Sequence, residues 1–242
     1  METGNRLLLS LDRDDYEALS RHMRPLAFKQ GRVLYEPEDT INWVYFPEQG
    51  LVSLLSVMLS GTAVETAVVG IEGGVGFLEA VGAGITFSRA LVQMDLLALR
   101  VPAEAYVAAY NASPALRRTV ASHIELSLAE ARQTLACQTK HSHDQRLAWW
   151  LLECQDRTGG EPDLPLKQDF LATMLGIQRS TVSQVVSALR GDGLIEYTRG
   201  TIRIVDRTAL EKRSCECYAT NQHFRYLIEN SSAYSRTPTN GA

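Results

Sequence analysis

The chain lacks long hydrophobic runs, which restricts where it can reside. No stretch among its 242 residues approaches the roughly 18 consecutive apolar residues of a membrane-spanning helix. Near the start, the apolar run Leu7–Leu9 is too short for the hydrophobic region of a signal peptide, and no small-residue cleavage site follows it. The sequence therefore predicts a cytoplasmic protein without a membrane partner.

Cysteines and catalytic motifs are equally scarce. The chain has four cysteines, which are Cys137, Cys154, Cys215 and Cys217. Their sparse and irregular spacing predicts free thiols in a reducing compartment and argues against a disulfide framework. The sequence also has no Walker motif, no Gly-x-Ser-x-Gly and no His-Glu-x-x-His. We therefore expect a protein that is not an enzyme and has no catalytic residues.

Positive charge is also in short supply, but it is unevenly distributed. The net charge of −4 argues against a protein that coats nucleic acid. Residues 1–164 carry 14 Lys and Arg against 21 Asp and Glu, a balance of −7, whereas residues 165–242 carry 10 against 7, a balance of +3. A small basic module on an acidic body is typical of a protein that contacts DNA at one end only.

The N-terminal half consists of short apolar segments separated by glycines. A short helix is predicted over residues 11–24, and strands follow it. The expected strands are Val33–Tyr35, Trp43–Phe46, Leu51–Val57, Ala63–Val69 and Ala90–Leu99. Closely spaced strands with turn residues between them predict a β-roll, and therefore an α+β fold class.

A long uninterrupted helix is predicted next, because Ala115–Lys140 contains neither glycine nor proline. One apolar stripe runs along it at spacings of four, three and four residues. It comprises Ile124, Leu128, Ala131 and Leu135. Such a stripe either forms the seam of a dimer or packs on the protein's own roll, and both interpretations stay open. The polar segment His141–Asp144 is expected to be the hinge to the next domain.

Residues 168–189 have the pattern of a helix-turn-helix. Ala172 supplies the small side chain that lets two helices approach closely, and Gly176 suits the tight turn. Apolar positions of both helices are expected in the core, namely Leu171, Leu175, Val182, Val185 and Leu189. The outward-facing side chains of the second helix are short and polar or basic, which suits base edges and phosphates. The candidate DNA-binding residues here are Arg179, Ser180, Thr181, Ser183 and Gln184.

A two-stranded hairpin is predicted directly after the second helix. Ile195–Tyr197 and Ile202–Ile204 alternate apolar and polar residues around a turn that contains Gly200. Such a wing beside a recognition helix brings Arg199 close to the DNA backbone. Arg199 is therefore the sixth candidate DNA-binding residue, with a phosphate as its expected partner.

Taken together, these features resemble the Crp/Fnr family of bacterial regulators over nearly the whole chain. The predicted roll opens with Gly31–Pro37 and Val44–Pro47, and the most specific match is Leu171–Ser183 followed by Gly193–Ile195. The resemblance implies transcription regulation by a homodimer joined through the long helix, on a two-fold symmetric site in double-stranded DNA. It further implies a small-molecule effector sensed in the roll, of unknown identity, and RNA polymerase as a further candidate partner.

The resemblance also implies a domain organisation. Residues 1–110 are expected to form the effector-sensing roll, residues 111–144 the dimerisation helix and hinge, and residues 145–213 the winged helix-turn-helix. Residues 214–242 form a C-terminal extension that is partly disordered, since its end from Asn230 onward is polar.

The positions that grip a cyclic nucleotide in this family are altered in this chain. The segment Gly70–Phe77 has Val75 in place of the expected glutamate, and Arg89 is followed by alanine where the family has serine. On the long helix, Ala131 and Arg132 stand where two hydroxyl residues would contact the base. We therefore expect no cyclic nucleotide and predict no cofactor. The candidate effector-binding residues are Glu72, Gly73, Gly74, Ser88, Arg89 and Arg132.

Two cysteine-containing pairs keep a second interpretation open. Cys137 and His141 are four residues apart and share a helix face if the long helix continues that far. Cys215 and Cys217 flank a single residue just after the wing. A structural role is favoured for both pairs and no metal site is predicted, but a redox or metal sensor on the same fold is the alternative. The iron–sulfur cluster of the oxygen-sensing branch is not expected, because no cysteine precedes Cys137. A ligand-binding module that docks a protein partner is the remaining alternative.

Overall fold

The computed structural model describes residues 3–234, with side chains up to Asn230. The helices are α1 (Arg6–Leu9), α2 (Arg13–Ser20), α3 (Phe77–Ala80), α4 (Ala103–Ala112), α5 (Pro114–Lys140), α6 (His143–Arg157), α7 (Gln168–Leu175), α8 (Arg179–Gly191), α9 (Arg207–Arg213) and α10 (Cys217–Tyr234). The strands are β1 (Arg24–Phe28), β2 (Val33–Tyr35), β3 (Trp43–Val57), β4 (Ala63–Val69), β5 (Arg89–Pro102), β6 (Asp163–Leu164), β7 (Ile195–Thr198) and β8 (Thr201–Ile204). Among the described residues, no helix is both long enough and apolar enough to span a bilayer.

The N-terminal half is an antiparallel β-roll built on the two long strands β3 and β5. These strands pair along most of their lengths in the order β1-β5-β3-β4, and β2 joins β5. Inward-facing side chains fill the roll, among them Val52, Val75, Val92, Leu96 and Ala98. The predicted fold class is confirmed, since the roll is followed by the long helix α5 and by a winged helix-turn-helix.

Strands β3 and β1 differ from the sequence prediction, and in both a proline is the reason. Trp43–Phe46 and Leu51–Val57 belong to one strand, because irregularities of register between Pro47 and Val52 absorb the residues that indicated a break. The sequence does not predict strand β1, because Pro25 argues against a central strand. This strand pairs with β5 alone, at the edge of the sheet, where proline is tolerated.

The long helix has a defined start and a defined end. Ser113 caps it by accepting a hydrogen bond from the Leu116 amide at 3.0 Å, and Pro114 occupies the first helical position. The helix breaks at His141, and α6 begins two residues later. Gln145 accepts a hydrogen bond from the Ser142 amide at 3.2 Å, which fixes the new helix start. The predicted hinge is therefore a tight corner of two residues.

The C-terminal domain docks directly on the roll. Leu51 and Met94 of the roll share one apolar core with the buried residues of α6, α7 and α8. The indole N–H of Trp150 donates to Glu65 of β4 at 2.6 Å, and the Gln30 amide donates to the Pro165 carbonyl at 2.9 Å. The position of the helix-turn-helix is thus fixed by contacts with the roll as well as by the corner after α5.

The extension after the wing is helical and folds back on the rest of the chain. Helix α10 packs against both α5 and α6. It continues to Tyr234. A run of polar residues does not exclude a helix whose earlier turns are already packed. Residues 235–242 lie outside the described part of the chain.

Candidate nucleic-acid interface

The helix-turn-helix is built as its sequence predicts. Gly176 ends α7 in the left-handed region at φ +63°, a conformation that a residue with a Cβ adopts at a cost. The Ile177 amide donates to the Ala172 carbonyl at 3.1 Å and closes the turn. All five apolar positions expected in the core are buried, namely Leu171, Leu175, Val182, Val185 and Leu189.

The outer face of α8 presents three of its five candidates fully to solvent. Arg179, Ser180 and Gln184 are exposed, whereas Thr181 and Ser183 are only half-buried positions at the edge of that face. The Ser183 hydroxyl donates to the side-chain oxygen of Gln168 on α7 at 3.0 Å. Ser183 therefore lies at the edge of the outer face, where its short side chain also joins the two helices.

Arg179 is the first residue of α8 and forms an exposed ion pair with Asp169. Its guanidinium lies 3.2 Å from the Asp169 carboxylate on α7, and both side chains remain about two-thirds exposed. An ion pair this exposed is weak, since water and salt screen it. Asp169 therefore orients Arg179 without withdrawing it from the surface.

The wing ends in a tight turn that projects a single basic side chain. Arg199 and Gly200 have φ values of +52° and +83°, as the two central residues of a type I′ hairpin turn require. Arg199 is exposed at the tip. The other arginine of the wing, Arg203, is bound by the Asp163 carboxylate at 2.5 and 2.7 Å, so Arg199 is the wing arginine better placed to meet a phosphate.

The apolar stripe of α5 points away from its own roll. Ile124, Leu128 and Leu135 are 44%, 48% and 67% exposed, and Ala131 between them is exposed as well. The interpretation that the stripe packs on the protein's own roll is therefore wrong. An exposed seam of this length on a 27-residue helix matches the a/d pattern of a helix that pairs with another.

Comparison with known proteins finds similar transcription regulators for residues 145–213 and for most of the chain. Residues 145–213 match the Crp-like helix-turn-helix domain. The cyclic AMP receptor protein of Thermus thermophilus is 27% identical over 195 residues, which are 81% of this chain and 89% of that protein. The transcriptional activator protein FnrA of Stutzerimonas stutzeri is 25% identical over 223 residues, 86% of this chain and 88% of that protein.

Solved structures agree with these relatives. A CRP/FNR-family transcriptional regulator from Thermus thermophilus is 26% identical with a TM-score of 0.64, over 79% of this chain and 98% of that chain. FixK2 from Bradyrhizobium japonicum, at 18% identity, shares the fold with a TM-score of 0.69 over 80% of this chain and 98% of that chain. Residues 145–213 thus match a Crp-like helix-turn-helix domain, and the chain is similar to Crp/Fnr regulators over most of its length. It is a DNA-binding transcription regulator of the Crp/Fnr type, and its relatives are regulators, not enzymes.

The residues expected to bind an effector in this Crp/Fnr regulator do not converge. Glu72 and Gly74 line a cleft of about 1710 Å³ between the roll, α5 and the C-terminal domain, whereas Gly73 is turned toward His123 on α5. Arg89 is paired with Glu36 at 2.8 Å on another side of the roll. Two further candidates, Ser88 and Arg132, lie outside the lining of the cleft.

A buried ion network crosses the same cleft, and no sequence pattern predicts it. Arg157 at the end of α6 pairs with Glu72 of the roll, with Glu130 of α5 at 3.0 Å, and with Glu153 of α6 at 3.2 Å. Arg225 of α10 pairs with Glu130 at 2.7 Å and with Glu153 at 2.5 Å. Although burial opposes it, the two guanidinium groups hold the pKa of Glu130 below its ordinary value. The network ties the roll, the long helix, the DNA-binding domain and the extension together.

The two cysteine-containing pairs, which are separate in the sequence, meet at the corner between α5 and α6. The ligand atoms of Cys137, His141, Cys215 and Cys217 lie within 4.8 Å of one another. The three cysteines are buried, and the sulfurs of Cys137 and Cys215 are 3.5 Å apart. A hydrogen bond with Cys137 holds the pKa of Cys215 below its ordinary value, against the opposing effect of burial. Cys154, by contrast, is buried elsewhere in the apolar core.

Proposed function

We propose that the chain acts as a homodimer joined along the seam of α5, on a DNA site of matching two-fold symmetry. The exposed stripe Ile124, Leu128, Ala131 and Leu135 supports this joint. With α5 paired to its copy, the two α8 helices enter successive major grooves about 34 Å apart. The observation that carries the proposal is the exposed, polar outer face of α8 on a helix whose other face is buried core.

Arg179 and Gln184 supply most of the base discrimination in this proposal. Arg179 stands at the first position of α8, where a recognition helix enters the groove, and an arginine can bond guanine O6 and N7 together. Gln184 lies five residues further along, about 1.4 turns, and reaches a neighbouring part of the groove. Arg199 on the wing meets a phosphate, and Ser180, Thr181 and Ser183 support the docking.

Control by a small-molecule effector follows from the position of the cleft. The cleft is lined by the roll, by α5 and by α6, so a molecule bound there contacts every element that sets the angle of the recognition helix. An effector that favours one arrangement of these elements shifts the population toward it. RNA polymerase is a further partner in this proposal, and the cytoplasm, where bacterial DNA lies, is the place of action.

Cyclic AMP is not the effector in this proposal, although one relative is named a cyclic AMP receptor protein. Three observations support this exclusion. Val75 is buried in the roll core, the Arg89 guanidinium is bound to Glu36, and Glu72 is occupied by Arg157. Titration calorimetry with cyclic AMP should show no binding at micromolar concentration. Micromolar binding that also strengthens DNA binding would overturn the exclusion.

Selection of DNA sequences by wild type and by single variants tests the recognition helix. Arg179→Ala should relax the preference at one position of the half-site and cost about 1–3 kcal/mol there. Arg199→Ala should weaken all sequences alike and reduce the salt dependence by about one unit of slope. Arg13→Ala, which removes the same charge from the exposed surface of α2, is the matched control and should change neither. If Arg179→Ala selects the same sequence as wild type, the assignment of α8 fails.

A further inference from the structure

The corner between α5 and α6 brings four metal-binding side chains to one point. Cys137 lies in the last turn of α5, and His141 is the residue that caps the end of this helix. The His141 amide donates to the Cys137 carbonyl at 3.1 Å, which places the two residues one turn apart. Cys217 begins α10, which folds back onto α5, and Cys215 lies just before it, between α9 and α10. The two pairs are distant along the chain, and only the return of α10 joins them.

The distances between the donor atoms fit a tetrahedral ion. The Sγ atoms of Cys137 and Cys215 are 3.5 Å apart, and Cys217 Sγ is 3.5 Å from His141 Nδ1. A tetrahedral zinc ion with Zn–S bonds of about 2.3 Å separates its sulfur ligands by about 3.8 Å. Small movements of side chains therefore suffice to close the four donors around one ion.

The surroundings supply outer contacts of the kind that structural metal sites use. The side-chain N–H of Gln133 donates to Cys217 Sγ at 3.1 Å, which stabilises a thiolate there. His141 turns Nδ1 toward the cluster and Nε2 toward the Glu216 carboxylate, 3.9 Å away. This distance is longer than a hydrogen bond, and the Glu216 side chain is exposed, so Glu216 contributes a nearby negative charge only. Trp149 packs over the sulfurs from α6 and closes the apolar side.

We propose that Cys137, His141, Cys215 and Cys217 bind one Zn²⁺ ion. Three thiolates and one imidazole form a ligand set of structural zinc sites, and with four protein ligands no coordination position is left for a substrate. The ion joins the end of α5 to the start of α10. It thereby holds α10 in the position from which Arg225 reaches Glu130 and Glu153. Zinc binding in this chain stabilises the docked position of the DNA-binding domain.

Metal analysis of the full-length protein, purified without chelators and under reducing conditions, tests the site. Wild type should contain about one zinc ion per chain. His141→Gln and Cys215→Ser should lose most of it. Cys154→Ser, which removes a buried thiol outside the cluster, is the matched control and should keep a full complement. Circular dichroism of each variant shows whether the fold is retained.

A cobalt titration of chelator-treated wild type tests the same site without any substitution. Binding should produce the visible bands of tetrahedral cobalt and the near-ultraviolet bands of thiolate–cobalt charge transfer, and an added equivalent of zinc should abolish both. Treatment with chelator should also lower the midpoint of thermal unfolding of wild type, but not that of Cys215→Ser. None of these measurements involves DNA, so their failure is distinct from failure of the proposed function.

Several outcomes would overturn the proposal. They are wild type free of zinc after incubation with zinc, a disulfide between Cys137 and Cys215 in protein isolated under reducing conditions, and iron in place of zinc. An equal loss of zinc from Cys154→Ser and Cys215→Ser would also overturn it, because the ion would then report general folding instead of this ligand set.

Discussion

The two faces of α5 differ from those of an ordinary surface helix, because the apolar face is exposed and the polar face is covered. One face carries Ile124, Leu128 and Leu135 and is exposed, whereas the opposite face carries Glu130 and Cys137 and is covered by α6 and α10. A surface helix of a monomeric protein normally buries its apolar face and exposes its charged one. In the proposed dimer the two faces have separate tasks, because the apolar face would contact another copy of the chain while the polar face contacts this chain's own α6 and α10.

Of the two faces of α5, the polar one should show the larger loss of free energy when its contacts are removed. Arg157→Met leaves Glu72 without its arginine partner and leaves Glu130 and Glu153 with Arg225 alone. The Arg157 side chain is only 11% exposed and is enclosed by these three carboxylates. Removing one partner of a buried ion network typically costs about 3–5 kcal/mol. Urea denaturation measures this loss as a lower free energy of unfolding.

The matched control for that variant is Arg13→Met. Arg13 pairs with Glu17 on the exposed surface of α2, where solvent screens the pair. Arg13→Met should therefore leave the free energy of unfolding unchanged within error. Equal effects of Arg157→Met and Arg13→Met would show that the network does not hold the domains together.

A substitution on the apolar face of α5 should have the next largest effect. Leu128→Asp places a charge in the middle of the seam in both copies, and burying a leucine contributes about 1.5–3 kcal/mol. The dimer dissociation constant should therefore rise by about a hundredfold or more, as sedimentation at several concentrations would measure. Leu59→Asp, at a fully exposed leucine between β3 and β4, should leave the dimer intact. A Leu128→Asp protein that remains dimeric would move the interface away from α5.

The smallest expected effect is a pH dependence of stability that arises from Glu65, where β4 contacts Trp150 of α6. Burial raises the pKa of Glu65 to about 7 from its ordinary 4.5. Between these values the folded state binds more protons than the unfolded state, so stability falls as pH rises. Wild type should lose about 1 kcal/mol from this group between pH 6 and pH 8, and Glu65→Gln should not.

Urea denaturation of both proteins across this pH range isolates the contribution of Glu65. The comparison is needed because burial lowers the pKa of His123, which acts in the opposite direction. The amide introduced by Glu65→Gln would keep an oxygen that accepts from the Trp150 indole, so the packing is preserved. Identical slopes for the two proteins would show that Glu65 is ionised in the folded state.

The sequence predicted well wherever a short segment determines its own structure. In the helix-turn-helix, Gly176 takes the left-handed conformation expected of it, and Ala172 packs against the core. The apolar spacing of α5 likewise identified the stripe that the structure exposes. Chain-local rules sufficed here because helices and tight turns are formed by neighbours in sequence.

The sequence failed where distant segments combine. Glu130 and Arg225 are 95 residues apart, and before folding they are indistinguishable from charged residues on a solvated face. The spacing of Cys137 and His141 marks them as a pair in the sequence, but its completion by Cys215 and Cys217 depends on the path of α10. No local pattern encodes that path, because polar residues of α10 become buried only against α5 and α6.

Helix α10 also determines how this regulator can be recombined with others. The family match ends at residue 213, so a chimera designed from it would exchange residues 145–213 as a module. Such an exchange would keep Arg225 of this chain but replace Glu153, its ion-pair partner on α6. The extension would then keep its contacts with α5 and lose those with α6. A unit that retains the ion pairs of α10 with both helices begins no later than Glu130 and ends no earlier than Arg225.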